Sequence, residues 1–228
     1  MTEKHRPSPT IENYLGVIYT LDRDGEAVIG RKLADWLEVS APTVTATVQR
    51  MIRDDWVTMS RDKTIHLTPR GQQAAQSVIR RHMLTELLLA RVLGVPWSRV
   101  HEEADKLEHG FSSETTARVQ DIIQDTSVCP HGNPLPGHEY ATEDLIPLLQ
   151  AEPGADYVLT RVHEEIERHR ELMRFLEENH LVPGAQLTIV DIAAYNETMT
   201  ISVDDRRVVL GLSTAHSLWV KPLAEPHQ

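Results

Sequence analysis

Histidines and carboxylates recur at helical intervals in the middle of this 228-residue chain. Their spacings of three and four residues place side chains on one face of an α-helix, where they can converge on one point. The set comprises His82, Glu86, His101, Asp105, Glu108 and His109. Nitrogen and oxygen donors without a thiolate suit Mn(II), Fe(II), Co(II), Ni(II) or Zn(II), so these residues predict a metal site. The alternative is a charged, solvated helix face.

Charge is distributed unevenly along the chain. The net charge of −11 disfavours a nucleic-acid partner at first sight, because affinity for DNA rests largely on neutralising phosphates. Residues 1–81, however, contain 12 Lys and Arg against 10 Asp and Glu, which leaves 11 against 24 for the remaining residues. This distribution predicts that the first third contacts DNA and that the acidic remainder binds cations.

Composition predicts a soluble cytoplasmic protein that has no membrane partner. Hydrophobic residues make up 40% of the chain, and none of its apolar runs approaches the roughly 18 residues of a membrane span. The N-terminus, MTEKHRPSP, lacks the apolar core of a signal peptide. The single cysteine, Cys129, cannot form an internal disulfide, which agrees with a reducing compartment.

The N-terminal third has the pattern of a winged helix-turn-helix. Helical periodicity predicts a first helix over about residues 9–22 and two more on either side of Ser40. Ser40 and Pro42 are residue types that favour a helix N-terminus. Two short β-rich runs, 56–59 and 64–67, surround a charged turn and complete the pattern of a wing.

The second helix of such a motif, about residues 41–53, enters the major groove of DNA. Hydroxyl and methyl groups can contact bases there, and nearby basic side chains can contact phosphates without reading sequence. The predicted DNA-binding residues are Ser40, Pro42, Thr43, Thr45, Ala46, Arg50, Arg53, Arg61 and Lys63. The alternative is a helical pair that only builds a core.

Three further helical patterns follow over about residues 69–123. The first begins at Pro69, Ser98 is the predicted N-cap of the second, and Ser112 or Ser113 is the predicted N-cap of the third. Together these helices have more apolar surface than so small a module needs internally. The excess predicts a symmetric homodimer.

The last part of the chain is predicted to be a loop followed by strands. Residues 129–144 are rich in proline and glycine, which predicts a loop with His131 and His138 in solvent. Short strands at regular spacing beyond residue 156 predict a small antiparallel β-barrel. The expected fold class is therefore mainly α with a small β part.

The chain resembles the diphtheria toxin repressor family of metal-dependent transcription regulators in four motifs that occur in the same order, SAPTVTATVQRM, HMLTELLL, VHEEADKLEH and PHGNPLPG. The resemblance covers nearly the whole chain. It implies a winged-helix DNA-binding domain at 1–75, a helical dimerisation and metal-binding domain at 76–140, a linker at 141–155 and an SH3-like domain at 156–228.

The resemblance also implies a primary, activating metal site at Asn13, Asp105, Glu108 and His109. Iron-sensing members have a methionine and a cysteine at the positions of Asn13 and Asp105, whereas manganese-sensing members tend to have carboxylates. A set without sulfur favours a harder cation, so Mn(II) is the expected cofactor. Fe(II) is the alternative, and other divalent transition metals are expected to bind in vitro.

An ancillary site is implied at His82, Glu86 and His101, with Glu164 and Glu167 contributed by the barrel. Glu167 stands where the family has glutamine, and its added charge should strengthen cation binding and tie the barrel to the middle domain. For Glu164 and Glu167 the alternative is an ordinary solvated acidic face.

The function predicted from these observations is a non-enzymatic, metal-activated repressor that binds palindromic double-stranded operator DNA as a homodimer and controls metal-homeostasis genes. Bound metal would link the first helix to the metal domain through Asn13 and favour the spacing of recognition helices that fits the operator. One alternative is a metal-independent winged-helix regulator of an organic ligand. Another is a metallohydrolase, which the lack of an HExxH motif and the DNA-reading motif disfavour.

Overall fold

The computed structural model describes residues 6–124 and 126–223. The chain divides into two compact units, Met1–His82 and Met83–Gln228, and each has its own hydrophobic core. The predicted outer domain bounds, residues 1 and 228, lie outside the described residues. The predicted boundaries near residues 75, 140 and 155 stay predictions.

The first unit is a winged helix-turn-helix. Its elements are α1 (Pro9–Arg23), α2 (Gly30–Leu37), α3 (Ala41–Arg53), β1 (Val57–Met59), β2 (Ile65–Leu67) and the first part of α4 (Pro69–Arg91). Leu15, Leu33 and Met51 are completely buried in its core. The two strands of the wing are antiparallel, and the amide of Ile65 donates to the carbonyl of Val28 at 2.9 Å. The winged-helix prediction is confirmed.

The second unit combines helices with a six-stranded antiparallel sheet. Its helices and strands are the rest of α4, α5 (Val100–Leu107), α6 (Ser113–Ile123), β3 (Ile146–Pro147), β4 (Asp156–Val162), α7 (Glu164–Glu167), α8 (Arg170–Glu178), β5 (Gln186–Ala193), β6 (Thr198–Val203), β7 (Arg206–Gly211), α9 (Leu212–His216) and β8 (Leu218–Pro222). The strand order is β3-β8-β4-β5-β6-β7, an open sheet compatible with an SH3-like fold. The predicted fold class, mainly α with a small β part, is confirmed.

Hydroxyl side chains cap two of the helices as predicted. The Ser40 hydroxyl accepts from the amide of Thr43 at 3.3 Å at the start of α3, and Ser112 caps α6 in the same way. Ser98 differs from its prediction, because it makes no such bond at the helix that follows and instead donates its hydroxyl proton to Glu177. The sequence around Ser98 favours a cap, but it does not reveal that the hydroxyl bonds to a carboxylate about 80 positions away.

The proline-rich loop is packed against the sheet rather than solvated. His131 and Asn133 are completely buried, and the amide of Val162 in β4 donates to the carbonyl of His131 at 2.8 Å. The prediction that His131 lies in solvent is therefore wrong, although His138 remains partly exposed. Proline and glycine content predicts the lack of regular structure but does not predict exposure.

Gly71 lies in the first turn of α4, against the wing. A Cβ atom at this position would stand 1.9 Å from the carbonyl oxygen of Trp56, which is backbone and cannot move aside cheaply. We expect Gly71→Ala to lower the free energy of unfolding by about 1–3 kcal/mol, the usual effect of overpacking. Urea denaturation of the full chain measures this. Gly30→Ala is the control, because its Cβ meets only Val44 at 3.9 Å, and equal losses in both variants would contradict the steric argument.

None of the helices in residues 6–124 and 126–223 combines the length and apolar character that a membrane span requires.

Candidate metal centre and nucleic-acid interface

Four side chains from four segments of the second unit meet at one point. Glu86 comes from α4, His101 from α5, His131 from the proline-rich loop and Glu167 from α7. Nδ1 of His101 lies 3.1 Å from Oε1 of Glu86 and 2.9 Å from Oε2 of Glu167. Nδ1 of His131 lies 3.5 Å and 3.4 Å from the same two oxygens. Three of the four side chains are buried, and that of His101 is 13% exposed.

A cysteine thiol belongs to the same cluster. Cys129, Glu86 and His131 each offer one ligand atom, and these atoms lie within 4.8 Å of one another. The amide of His131 also donates to Sγ of Cys129 at 3.4 Å. Sequence reasoning missed both Cys129 and His131 as cluster residues. The available signal was the Cys-Pro-His spacing, which places two metal-binding residue types one residue apart. A loop rich in proline and glycine was instead predicted to lie in solvent.

Burial and neighbouring charges both shift the pKa values of the cluster residues. Burial raises the pKa of the Cys129 thiol to about 12, and the negative charge of Glu86 adds to the effect. Burial alone would lower the pKa of His131, but the carboxylates of Glu167 and Glu86 raise it well above its ordinary value. Burial likewise opposes ionisation of Glu167, whose pKa the charge of His131 lowers. A protonated imidazole between two carboxylates follows from these shifts.

The donor geometry fits a first-row divalent cation. Ligand atoms about 2.1 Å from a tetrahedral ion lie roughly 3.4 Å from one another. The carboxylate and imidazole atoms of the cluster, 2.9–3.5 Å apart, are close to that separation. Nδ1 of His131 is buried and forms no hydrogen bond of good geometry within the described residues. A cation bound here would take the lone pair of that nitrogen once its proton is lost.

Neighbouring polar groups orient one of the carboxylates. Asn133 donates from Nδ2 to Oε1 of Glu167 at 2.6 Å, and the buried guanidinium of Arg161 donates to Oδ1 of Asn133. Arg161 also donates to Oε2 of Glu164 at 3.0 Å. Of the two glutamates predicted from the barrel domain, Glu167 therefore lies in the cluster and Glu164 lies against Arg161. Such outer contacts fix ligands in place for a metal.

Three of the predicted primary ligands follow one another at the end of α5. Asp105 is 57% exposed, with Oδ2 3.8 Å from Nε2 of His101. Glu108 is buried in the 3-10 turn that continues α5, with Oε1 3.5 Å from Nε2 of His109. One carboxylate oxygen of Asp105 and one of Glu108 lie within 4.8 Å of each other.

The remaining predicted ligands belong to the first unit. Asn13 is exposed on α1, next to Glu12, which is buried and accepts from Nη2 of Arg81 at 2.7 Å. This ion pair fixes α1 against α4. His82 is the last residue of the first unit and precedes Glu86 by one helical turn on α4.

The recognition helix α3 and the wing present a polar surface. The predicted DNA-binding residues are all exposed, namely Ser40, Pro42, Thr43, Thr45, Ala46, Arg50, Arg53, Arg61 and Lys63. The Thr45 hydroxyl donates to a backbone carbonyl of α3, and Arg53 forms a two-bond ion pair with Asp54. Gln49 is also exposed on α3, and the predictions omitted it. Its amide can donate to and accept from a base edge.

Family models match three successive segments of the chain. They are described as "Iron dependent repressor, N-terminal DNA binding domain" over residues 8–65, "Iron dependent repressor, metal binding and dimerisation domain" over 68–137, and "FeoA domain" over 146–222. The diphtheria toxin repressor of Corynebacterium diphtheriae is 41% identical over 128 residues, covering 56% of this chain and 57% of that protein. The iron-dependent repressor IdeR of Mycobacterium leprae is 31% identical over 223 residues, covering 93% of this chain and 96% of that protein. The chain belongs to the diphtheria toxin repressor family.

Members of the diphtheria toxin repressor family are transcriptional repressors, and this chain is a metal-dependent repressor with an N-terminal DNA-binding domain. The structure of the manganese regulator SloR matches with 28% identity and a TM-score of 0.77 over 95% of this chain and all of that one. A manganese-dependent transcriptional repressor solved with manganese matches with 25% identity and a TM-score of 0.81, over 93% of this chain and all of that one. The resemblance drawn from the four motifs is confirmed.

Proposed function

We propose that this repressor is activated by Mn(II), binds palindromic operator DNA as a homodimer in the cytoplasm, and controls genes of metal homeostasis without catalysing a reaction. The observation that carries the proposal is the convergence of Glu86, His101, His131 and Glu167 on one point in the second unit. Like charges gathered in a buried site are costly unless a cation compensates them. The iron- and manganese-dependent relatives support a divalent transition metal as that cation.

The two donor sets differ in their preferred metal. Asn13, Asp105, Glu108 and His109 offer only oxygen and nitrogen, which supports Mn(II) at the activating site. The buried cluster includes the thiol of Cys129, whose thiolate is a softer donor. Fe(II), Zn(II) and Co(II) therefore compete more strongly at the buried cluster than at the activating site.

Metal binding acts through the elements that carry the ligands. A bound divalent cation supplies the positive charge that protonated His131 otherwise supplies. Glu86, His101 and Glu167 then stay fixed with respect to one another, and so do α4, α5 and α7. This restraint selects one arrangement of the helices from those that the apo protein samples.

Exposed apolar residues in the second unit support the homodimer. Val92, Leu93, Leu107 and Ile122 are between 44% and 62% exposed. Leu107 and Ile122 lie on α5 and α6, and Val92 and Leu93 directly follow the end of α4. Large exposed apolar side chains of this kind are typical of an interface. Two recognition helices in a symmetric dimer match an operator whose half-sites repeat by symmetry.

Metal-dependent DNA binding tests the proposal. Operator fragments selected from random duplex DNA in Mn(II) are titrated by fluorescence anisotropy with Mn(II), with Fe(II) under anaerobic conditions, and with a chelator. We expect Mn(II) to raise the DNA affinity by about 5- to 150-fold, the usual range of allosteric coupling. Full DNA affinity in the chelator would instead support a metal-independent winged-helix regulator.

A further inference from the structure

A glutamate of α8 holds the start of the helix that carries His101. Oε1 of Glu177 accepts from the amide of Trp97 at 2.9 Å, and Oε2 accepts from the hydroxyl of Ser98 at 2.5 Å. Residues 97–99 form a 3-10 turn that continues directly into α5. The first amides of a helix have no partner within it, and a carboxylate satisfies them well. Glu177 thus provides, from a distant helix, the acceptor for the first amide of this turn and for the Ser98 hydroxyl.

The same 3-10 turn also contacts the loop that carries His131. Nε1 of Trp97 donates to the carbonyl of Pro130 at 2.9 Å, and Nε2 of His131 lies 3.2 Å from the carbonyl of Trp97. The rings of Trp97 and His131 pack edge to face with centroids 4.8 Å apart. Trp97 packs in addition against the core of the β-sheet. The start of α5 is therefore held between α8 and the loop.

Glu177 does not touch the cluster residues and is connected to them through the start of α5. His101 comes three residues after Ser98, so a shift at the start of α5 moves Nδ1 of His101 relative to Glu86 and Glu167. Metal ligands must stay within about 0.5 Å of their productive geometry. We infer that Glu177 is a positioning residue for the metal centre, through which α8 sets the placement of α5. The inference rests on the proposed metal-dependent function.

A purely structural role for Glu177 predicts a different outcome. In that case its loss would lower stability but leave the ligand geometry of the folded protein intact. A positioning role predicts weaker metal binding and an altered ligand field, although no ligand has been removed. The neighbouring Glu178 is a matched control, because it is 66% exposed and pairs with Arg174 on its own helix at 3.6 Å.

The experiment titrates Co(II) into the full chain and its Glu177→Ala, Glu177→Gln and Glu178→Ala variants, with visible absorption as the readout. We expect Glu177→Ala to weaken Co(II) binding by roughly 10- to 100-fold, the range for groups that orient ligands, and to shift the d–d bands. Glu177→Gln should fall between Glu177→Ala and the wild type, because its amide oxygen still accepts from Trp97. Glu178→Ala should match the wild type.

The outcomes separate this inference from the proposed function. A Glu177→Ala protein that melts earlier but binds Co(II) with wild-type affinity and spectrum would overturn the positioning role. If that variant fails to fold, Ser98→Ala replaces it, because this substitution removes one of the two hydrogen bonds to Glu177. Ser98→Ala should weaken Co(II) binding, and unchanged binding would overturn the inference. Failure of the wild-type protein to bind Co(II) would refute the metal-dependent function itself.

Discussion

Asp105→Ala is expected to abolish metal-activated DNA binding while leaving the fold and the metal-free DNA affinity unchanged. Asp105 is 57% exposed, so its truncation removes no core contact. It does remove a carboxylate beside Nε2 of His101 and one of the proposed activating ligands. Without that ligand, the Mn(II)-dependent gain in DNA affinity, about 5- to 150-fold for typical coupling, should disappear. Anisotropy with operator DNA measures the gain, and circular dichroism checks the fold.

Glu102→Ala is the matched control for this prediction. Glu102 is another carboxylate of α5, with its side chain 42% exposed, and it pairs with Lys106 at 2.8 Å. The hydrogen bond from Lys106, and then the lysine charge, lower the pKa of Glu102, as in an ordinary surface ion pair. Truncating Glu102 should change the stability little and preserve the Mn(II) response, because solvent screens this ion pair. A normal Mn(II) response in Asp105→Ala would move the activating site away from the end of α5.

Helices and their local caps were predictable from the sequence because the forces that form them act over a few residues. The apolar period of α1 and the Ser40 hydroxyl at α3 are both features of neighbouring residues. Ser98 does not cap its helix because its hydroxyl donates a hydrogen bond to Glu177, which belongs to another helix. Distant polar partners leave no signal in local sequence.

The cluster around Glu86 and His101 could be predicted from the sequence for its helical residues but not for its loop residues. Glu86 and His101 were found because helical spacing and the family resemblance both pointed to them. His131 and Cys129 were missed because their burial depends on the packing of the loop against β4. A proline-rich composition does not predict that packing.

The two barrel glutamates have different partners in the structure, although both belong to one short helix. Glu164 and Glu167 are three residues apart, which on a long helix would place both on one face. They begin and end the four-residue helix α7, where Glu164 pairs with Arg161 and Glu167 reaches His101. Arg161 is completely enclosed, and its buried charge requires a carboxylate partner. Arg161 bonds Glu164 directly and is connected to Glu167 through Asn133, an arrangement that the local spacing does not predict.

Cys129→Ser is the second substitution with a large expected effect, and it concerns the choice of metal. The thiol is buried and its pKa is raised to about 12, so a bound cation must displace the thiol proton to solvent before the sulfur can act as a thiolate ligand. Serine nearly preserves the side-chain volume but is a much poorer donor to soft cations. We expect the affinity of the cluster for Co(II) and Zn(II) to fall by at least about tenfold, and that for Mn(II) to fall less.

Two spectroscopic and thermodynamic readouts test the role of Cys129. The Co(II)-bound wild-type protein should show a near-ultraviolet sulfur-to-metal band that Cys129→Ser lacks. Because binding releases the thiol proton, wild-type Co(II) affinity should rise with pH through the neutral range, and the variant should lose about one proton of that dependence. Ser127→Ala, in the same loop, should leave both properties unchanged. The wild-type protein could instead lack the band and show the same pH dependence of Co(II) affinity as Cys129→Ser. The cluster would then bind its cation through nitrogen and oxygen alone.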